Sequence, residues 1–125
     1  MADTDTDAAD ADPEAVVRDY YDAVDAERYD ELVSLFTDDV RYERPGQGSI
    51  SGREELREFY LTGRPLEDGN HEIHDVLVDG TTAAVRGTFS GVQDGERVEF
   101  DFADVHELEE GQIARRYTFT DRDEV

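Results

Sequence analysis

Asp104 and His106 stand two residues apart in a stretch, Arg97–Leu108, that alternates as a strand does. With Phe100 and Phe102 they therefore share one strand face. A histidine beside a carboxylate on an aromatic face is suited to general acid–base catalysis near neutral pH. The plainer reading of His106 is structural. Arg44 alternates with Glu43 and falls on the side of Val40 and Tyr42, while Glu43 points away. A guanidinium there suits a ligand carboxylate or enolate. It serves equally to neutralise Asp104 inside the core. His71 and His74 have the spacing of a helical metal pair, but their surroundings read as strand, which sends them to opposite faces. No Asp-x-Asp-x-Asp-Gly loop closes with a glutamate, and there is no cysteine, so no metal site is expected and disulfides are excluded. No serine occupies a Gly-x-Ser-x-Gly elbow, and Gly46-x-Gly48 reads as a turn.

These residues need elements to position them. Asp12 caps and Pro13 opens a helix whose stripe is Val16, Val17, Tyr20, Tyr21 and Val24, ending near Asp25. A second short helix turns Tyr29, Leu32, Val33 and Phe36 inward and stops at Thr37-Asp38-Asp39. Val40–Arg44 is a short strand, and the residues from Pro45 to Gly48 form a turn. Ser51 and Glu54 make a capping-box pattern for a third helix with Leu56, Phe59 and Tyr60 on one face, ending near Gly63. Four strands follow: His71–Val78, Thr81–Val92, Arg97–Leu108 and Gln112–Thr120. Turns at Asp79-Gly80, Asp94-Gly95 and Glu109-Glu110-Gly111 join them. Helices first and an antiparallel meander last indicate an α+β fold with the helices on one face of the sheet. Arg115 and Arg116 both lie on the final strand, one toward the interior and one away. Parity alone does not say which.

The 125 residues suit one domain, 13–125, preceded by an acidic tail over 1–12 that is expected to be disordered. At 37% hydrophobic and 10% aromatic, the rest can build a core. The net charge of −22 excludes binding to a phosphate backbone and disfavours anionic membranes. No apolar run approaches the roughly 20 residues that cross a bilayer, and residues 1–12 lack the basic start and apolar stretch of a secretory signal; a cytoplasmic protein is expected. All 12 basic residues are arginine, and aspartate outnumbers glutamate. This composition resembles that of proteins from salt-in halophiles, in which molar salt shortens the range of self-repulsion to about 3 Å.

The stretch Val16–Pro45 (VVRDYYDAVDAERYDELVSLFTDDVRYERP), together with SGREELREFY at 51–60 and FADVHELEEGQIARRYTFTD at 102–121, resembles the nuclear-transport-factor-2-like superfamily. The likeness is to its ketosteroid-isomerase and SnoaL-like polyketide-cyclase branches. The resemblance implies a cone in which a strongly curved sheet wraps three helices around an apolar pocket, and homodimers that pair through the sheet. It places Tyr20 where ketosteroid isomerases carry an oxyanion-hole tyrosine, Tyr60 at a supporting tyrosine, and Asp104 at a second oxyanion donor, an aspartic acid kept protonated by its apolar site. The isomerase base, an aspartate just before the proline of the first strand, is here Arg44. An arginine takes no proton at working pH, so steroid-type isomerisation is not expected. SnoaL-like cyclases work without a cofactor through pocket Asp and His residues, which implies that role for Asp104 and His106. The expectation is thus a SnoaL-like pocket protein performing cofactor-free isomerase- or cyclase-type chemistry on a small apolar carbonyl compound. Its catalytic set is Tyr20, Asp104 and His106, and Tyr42, Arg44, Tyr60, Phe100 and Phe102 contact the ligand. The alternative is a non-catalytic ligand-binding or dimerisation module of the same fold.

Overall fold

Helix α1 (Pro13–Asp25) starts where the sequence provides a cap: the Asp12 side chain accepts from the Glu14 backbone N–H at 3.1 Å, and proline takes the first helical position. The computed structural model describes residues 12–122 and 125; apart from Asp12, the acidic tail lies outside the described residues. The predicted stripe of α1 is buried throughout. Helix α2 (Tyr29–Ser34) follows, and α3 (Gly52–Glu58) continues into one π turn, Phe59–Gly63. That widened turn brings two consecutive residues, Phe59 and Tyr60, inside together.

Six strands form one curved, unclosed sheet: β1 (Phe36–Arg44), β2 (Gly48–Ser51), β3 (Leu66–Asp79), β4 (Thr82–Gln93), β5 (Glu96–Glu109) and β6 (Gln112–Thr120), in the order β2-β1-β6-β5-β4-β3. The predicted meander is β3 to β6, antiparallel throughout. Its turns use positive φ at Gly80, at Asp94-Gly95 and at Glu110-Gly111, as tight hairpins of right-twisted strands require. Helix α1 lies against β3 and β4, and α3 against β1. Among the described residues no helix is long and apolar enough to cross a membrane.

Several boundaries differ from expectation. Phe36 is not in α2 but opens β1, because the helix ends at Leu35 and the chain then pairs in parallel with β6 (Phe36 with Ile113, Tyr42 with Arg116). The segment after the Pro45 turn forms an extra edge strand, β2, on β1. Strand β3 begins five residues early, at Leu66, since Leu66 and Glu67 already pair with Gln93 and Val92. The capping box is shifted: Glu55, not Glu54, accepts from the Ser51 backbone N–H, at 3.0 Å, and the Ser51 hydroxyl makes no cap.

Alternation along β5 puts Phe102, Asp104, His106 and Leu108 in the interior. On β4 the inward series includes Ala83, Val85, Gly87 and Phe89. Gly87 is required by close approach: a Cβ there would lie 2.3 Å from the Glu72 carbonyl oxygen and 2.8 Å from the Phe102 ring. The missing side chain is what lets β3 and the Phe102 ring close over this part of the concave face.

Candidate functional site

The last strand resolves the arginine question. Arg116 turns inward, 2% exposed, while Arg115 turns outward toward Glu107 at 3.5 Å. Arg116 Nη2 donates to Asp104 Oδ2 at 2.7 Å, so the partner of Asp104 is Arg116 rather than Arg44. The Asp104 carboxylate also accepts from the Tyr21 hydroxyl at 2.5 Å and the Thr118 hydroxyl at 2.7 Å. Burial alone would raise its pKa. Arg116, then His106 and the two hydroxyl donors, outweigh burial and leave the pKa lowered. Asp104 is therefore an ionised acceptor, not a protonated donor.

Hydrogen-bond directions follow from this sink. Thr118 spends its proton on Asp104, so it accepts from the Tyr42 hydroxyl at 2.8 Å. Tyr42 in turn accepts from Arg44 Nη1 at 2.9 Å. Arg44 Nε donates to the Val125 carbonyl at 2.6 Å, and the guanidinium stacks 4.7 Å from the Phe59 ring. The guanidinium of Arg116 lies 4.3 Å from the Tyr20 ring and 4.5 Å from the Tyr42 ring.

Tyr20 and Tyr60 bond to each other through their hydroxyls in full burial, and burial pushes both pKa values up. The Tyr20 ring lies against Arg116, and Tyr60 holds Tyr20 through the hydroxyl pair. It is the neighbour Tyr21, one position on in α1, that reaches Asp104. His106 is wholly enclosed, and its Nε2 lies 3.2 Å from the Tyr21 oxygen. Because Tyr21 gives its proton to Asp104, Nε2 carries the hydrogen and Nδ1 is a bare, buried acceptor without a partner. Burial, with help from Arg116, lowers its pKa to about 3. His106 stays neutral at working pH and has no path to a ligand.

On the other side of Asp104 lies a small cavity of about 20 Å³. Arg44, Arg116 and Asp104 supply its charge, and Phe89, Phe100 and Phe102 its apolar wall; Arg64, Thr118 and Val125 also reach it. The volume is room for about one water molecule, far below the size of a ligand cavity. A larger hollow edged by Glu72, Glu99 and Asp101 is a broad acidic surface depression. The cavity also contains His71. Its Nδ1 lies 2.6 Å from Asp25 Oδ1, and its backbone N–H donates to Asp25 Oδ2 at 2.8 Å. Asp25 thus fixes the tautomer: Nδ1 carries the hydrogen, and Nε2 keeps its lone pair with no protein hydrogen bond among the described residues. The ring is walled by Tyr21, Phe89 and Phe102, with centroids 5.0–5.4 Å away. Burial lowers the His71 pKa against the pull of Asp25, so the imidazole is neutral and able to accept a proton.

Of the predicted site, Arg44, Phe100, Phe102 and Asp104 line the cavity. Tyr42 joins through its hydroxyl, while Tyr20, Tyr60 and His106 stand behind the wall. The sequence reading passed over His71, Asp25, Tyr21 and Arg64. Strand parity already turned His71 and His74 to opposite faces; the last residue of α1 facing an inward histidine was the further signal to use.

The SnoaL-like domain profile matches residues 17–116. No curated protein matches by sequence. Among solved structures, the fold is similar to a ketosteroid-isomerase candidate from Kribbella flavida (26% identity, 88% of this chain and 78% of that one, TM-score 0.72). It is also similar to an epoxide hydrolase of the LEH-like type from M. tuberculosis (23%, 87% and 82%, 0.76). A candidate SnoaL-like polyketide cyclase from Jannaschia shares it too (18%, 97% and 91%, 0.77).

Proposed function

We propose, for a chain that belongs to the SnoaL-like domain family, that the cavity performs cofactor-free proton transfer on a small, largely apolar carbonyl compound. The observation that carries this reading is the Asp25–His71 pair, with a neutral imidazole beside Arg44, Arg64 and the Arg116–Asp104 ion pair. His71 Nε2 takes a proton from the carbon next to the substrate carbonyl. Arg44 and Arg116 meet the negative charge that develops on the carbonyl oxygen, the task the resemblance assigned to Tyr20 and a protonated Asp104. The imidazolium returns the proton at another carbon, giving an isomer. In a cyclase, the enolate carbon instead attacks a second carbonyl carbon of the same molecule, its C=O π bond opens to an alkoxide, and the imidazolium protonates that oxygen. Asp104 positions Arg116, and the rings of Tyr20 and Tyr42 pack against it.

The test is deuterium exchange. A panel of small cyclic ketones and 1,3-dicarbonyl compounds is incubated with the protein in D2O and followed by proton NMR. Exchange that the wild type catalyses and His71→Gln does not is the expected result. Exchange no faster than in buffer, or equal in both proteins, overturns it.

A second reading, a binding module without turnover, is favoured by one observation. Asp104, Tyr20 and Tyr60 are already saturated by protein partners. The same exchange experiment separates the two.

The proposal includes a salt-rich cytoplasm as habitat, supported by the charge of −22 and the absence of lysine. It also includes a homodimer through the outer sheet face. There Ala84, Val105 and Tyr117 lie side by side, Ala103 pairs with Phe119, and Phe119 is 57% exposed. Light scattering of the wild type and Phe119→Asp reads this directly: a monomeric wild type removes the dimer.

A further inference from the structure

Arg122 and Val125 follow β6 in the chain and are anchored on either side of it. Toward β4 and β5, Arg122 Nη2 donates to the Gln93 side-chain oxygen at 2.7 Å, and its guanidinium lies 5.5 Å from the Phe100 ring. Toward β1, the Val125 backbone N–H donates to the Pro45 carbonyl at 3.1 Å, and the Val125 carbonyl accepts from Arg44 Nε at 2.6 Å. Phe100, Arg44 and Val125 all line the small cavity, so the two anchors bracket it. The four residues before Val125 are charged, yet Val125 itself is 1% exposed and belongs to the core cluster. Among the described residues, two hydrogen bonds and one packed side chain hold it there, whereas each strand of the cavity wall is held by a ladder. The part of a wall with the fewest bonds opens first.

We infer that Val125 is a plug: it sits in the place of the ligand, and a small carbonyl compound enters the cavity by displacing it. Val125 presents the two features of such a compound, a hydrocarbon group in the interior and a carbonyl oxygen on Arg44. With the plug in place the cavity measures about 20 Å³, against roughly 300–1,000 Å³ for ligand cavities. Its withdrawal frees Arg44 Nε for the ligand's own carbonyl oxygen, so one hydrogen bond is exchanged for another. Affinity is then reduced by the fraction of molecules in which the plug is out. The inference rests on the reading of this cavity as the site of carbonyl chemistry, and it supplies the step that makes the site accessible.

The experiment is an NMR titration of the full chain with cyclohexanone, in about 2 M KCl to hold the fold. Val125→Gly gives up the buried side chain, and it is expected to bind the ketone at least about tenfold more tightly than the wild type. In the wild type, the Val125 amide is protected by the Pro45 carbonyl and should exchange faster with solvent as ketone is added. Thermal melts establish that the variant is folded; if it is not, the amide measurement on the wild type carries the test. Equal or weaker binding by the folded variant, a Val125 amide whose exchange the ketone leaves unchanged, or no binding by either protein overturns the plug. Tighter binding by Val125→Gly with no deuterium exchange into the ketone in either protein sinks the proton-transfer reading alone. Deuterium exchange at one rate in both proteins, with equal affinities, sinks the plug alone.

Discussion

Replacing Asp104 with alanine tests whether this carboxylate is structural or free to act on a ligand. In the native protein it is 2% exposed and receives Arg116, Tyr21 and Thr118 within 2.7 Å. Asp104→Ala leaves the Arg116 charge enclosed, with two of its nitrogens already lacking partners. Breaking a buried pair from one side costs about 3–5 kcal/mol. Each stranded hydroxyl adds about 1 kcal/mol, though the effects share one network and do not sum. For a domain of this size each kcal/mol lowers Tm by roughly 3–6 °C, so a fall on the order of 15 °C is expected in circular-dichroism melts in molar KCl. The double variant Asp104→Leu with Arg116→Met, which removes both charges, should recover much of that loss. The pH dependence carries a matching sign. The folded pKa of Asp104 is lowered, so its contribution is complete above the unfolded value of about 3.9 and is lost as pH falls through the folded value. The alanine variant lacks this acid transition. A fall in Tm of less than about 3 °C would refute the reasoning and return Asp104 to the list of groups available to a substrate.

His106 gives a second, higher window: its folded pKa is about 3 against about 6.5 unfolded, so the unfolded chain takes up a proton first. Stability falls by up to about 1.4 kcal/mol per pH unit as pH drops from 6.5, with His71 contributing in the same direction, and His106→Gln should flatten that slope in melts between pH 4 and 7. Gly87→Ala presses a methyl group onto the Glu72 carbonyl and the Phe102 ring, and should destabilise by about 1–3 kcal/mol in the same assay. With a net charge of −22, Tm should rise between dilute buffer and molar KCl; an unchanged midpoint would remove the salt argument.

The fold was legible because its signals are local. The Asp12-Pro13 start, the α1 stripe and the glycine turns each act within a few residues, and strand parity placed Asp104 and His106 inside. The site was legible only in part because its pairings are distant. Asp25 and His71 are 46 residues apart, Tyr21 and Asp104 are 83 apart, and the β1–β6 ladder joins the first and last strands. The choice between Tyr20 and Tyr21 shows the limit: both are buried on α1, and only the packed sheet decides which hydroxyl meets the carboxylate. Likewise, parity put an arginine on the inner face of β6, but the sheet's register was needed to identify it as Arg116.

The position of β6 between β1 and β5 also bears on how the molecule is made. Apart from Gln112–Thr120, β1 and β2 make one ribbon and β3, β4 and β5 another, with no ladder between them. Arg44 belongs to the first ribbon and Asp104 to the second. A chain in which that strand had not docked would leave the inner edges of β1 and β5 unpaired, and unpaired strand edges favour aggregation. Insertion of this one nine-residue strand joins the ribbons and delivers Arg116 and Thr118 to Asp104 in the same movement.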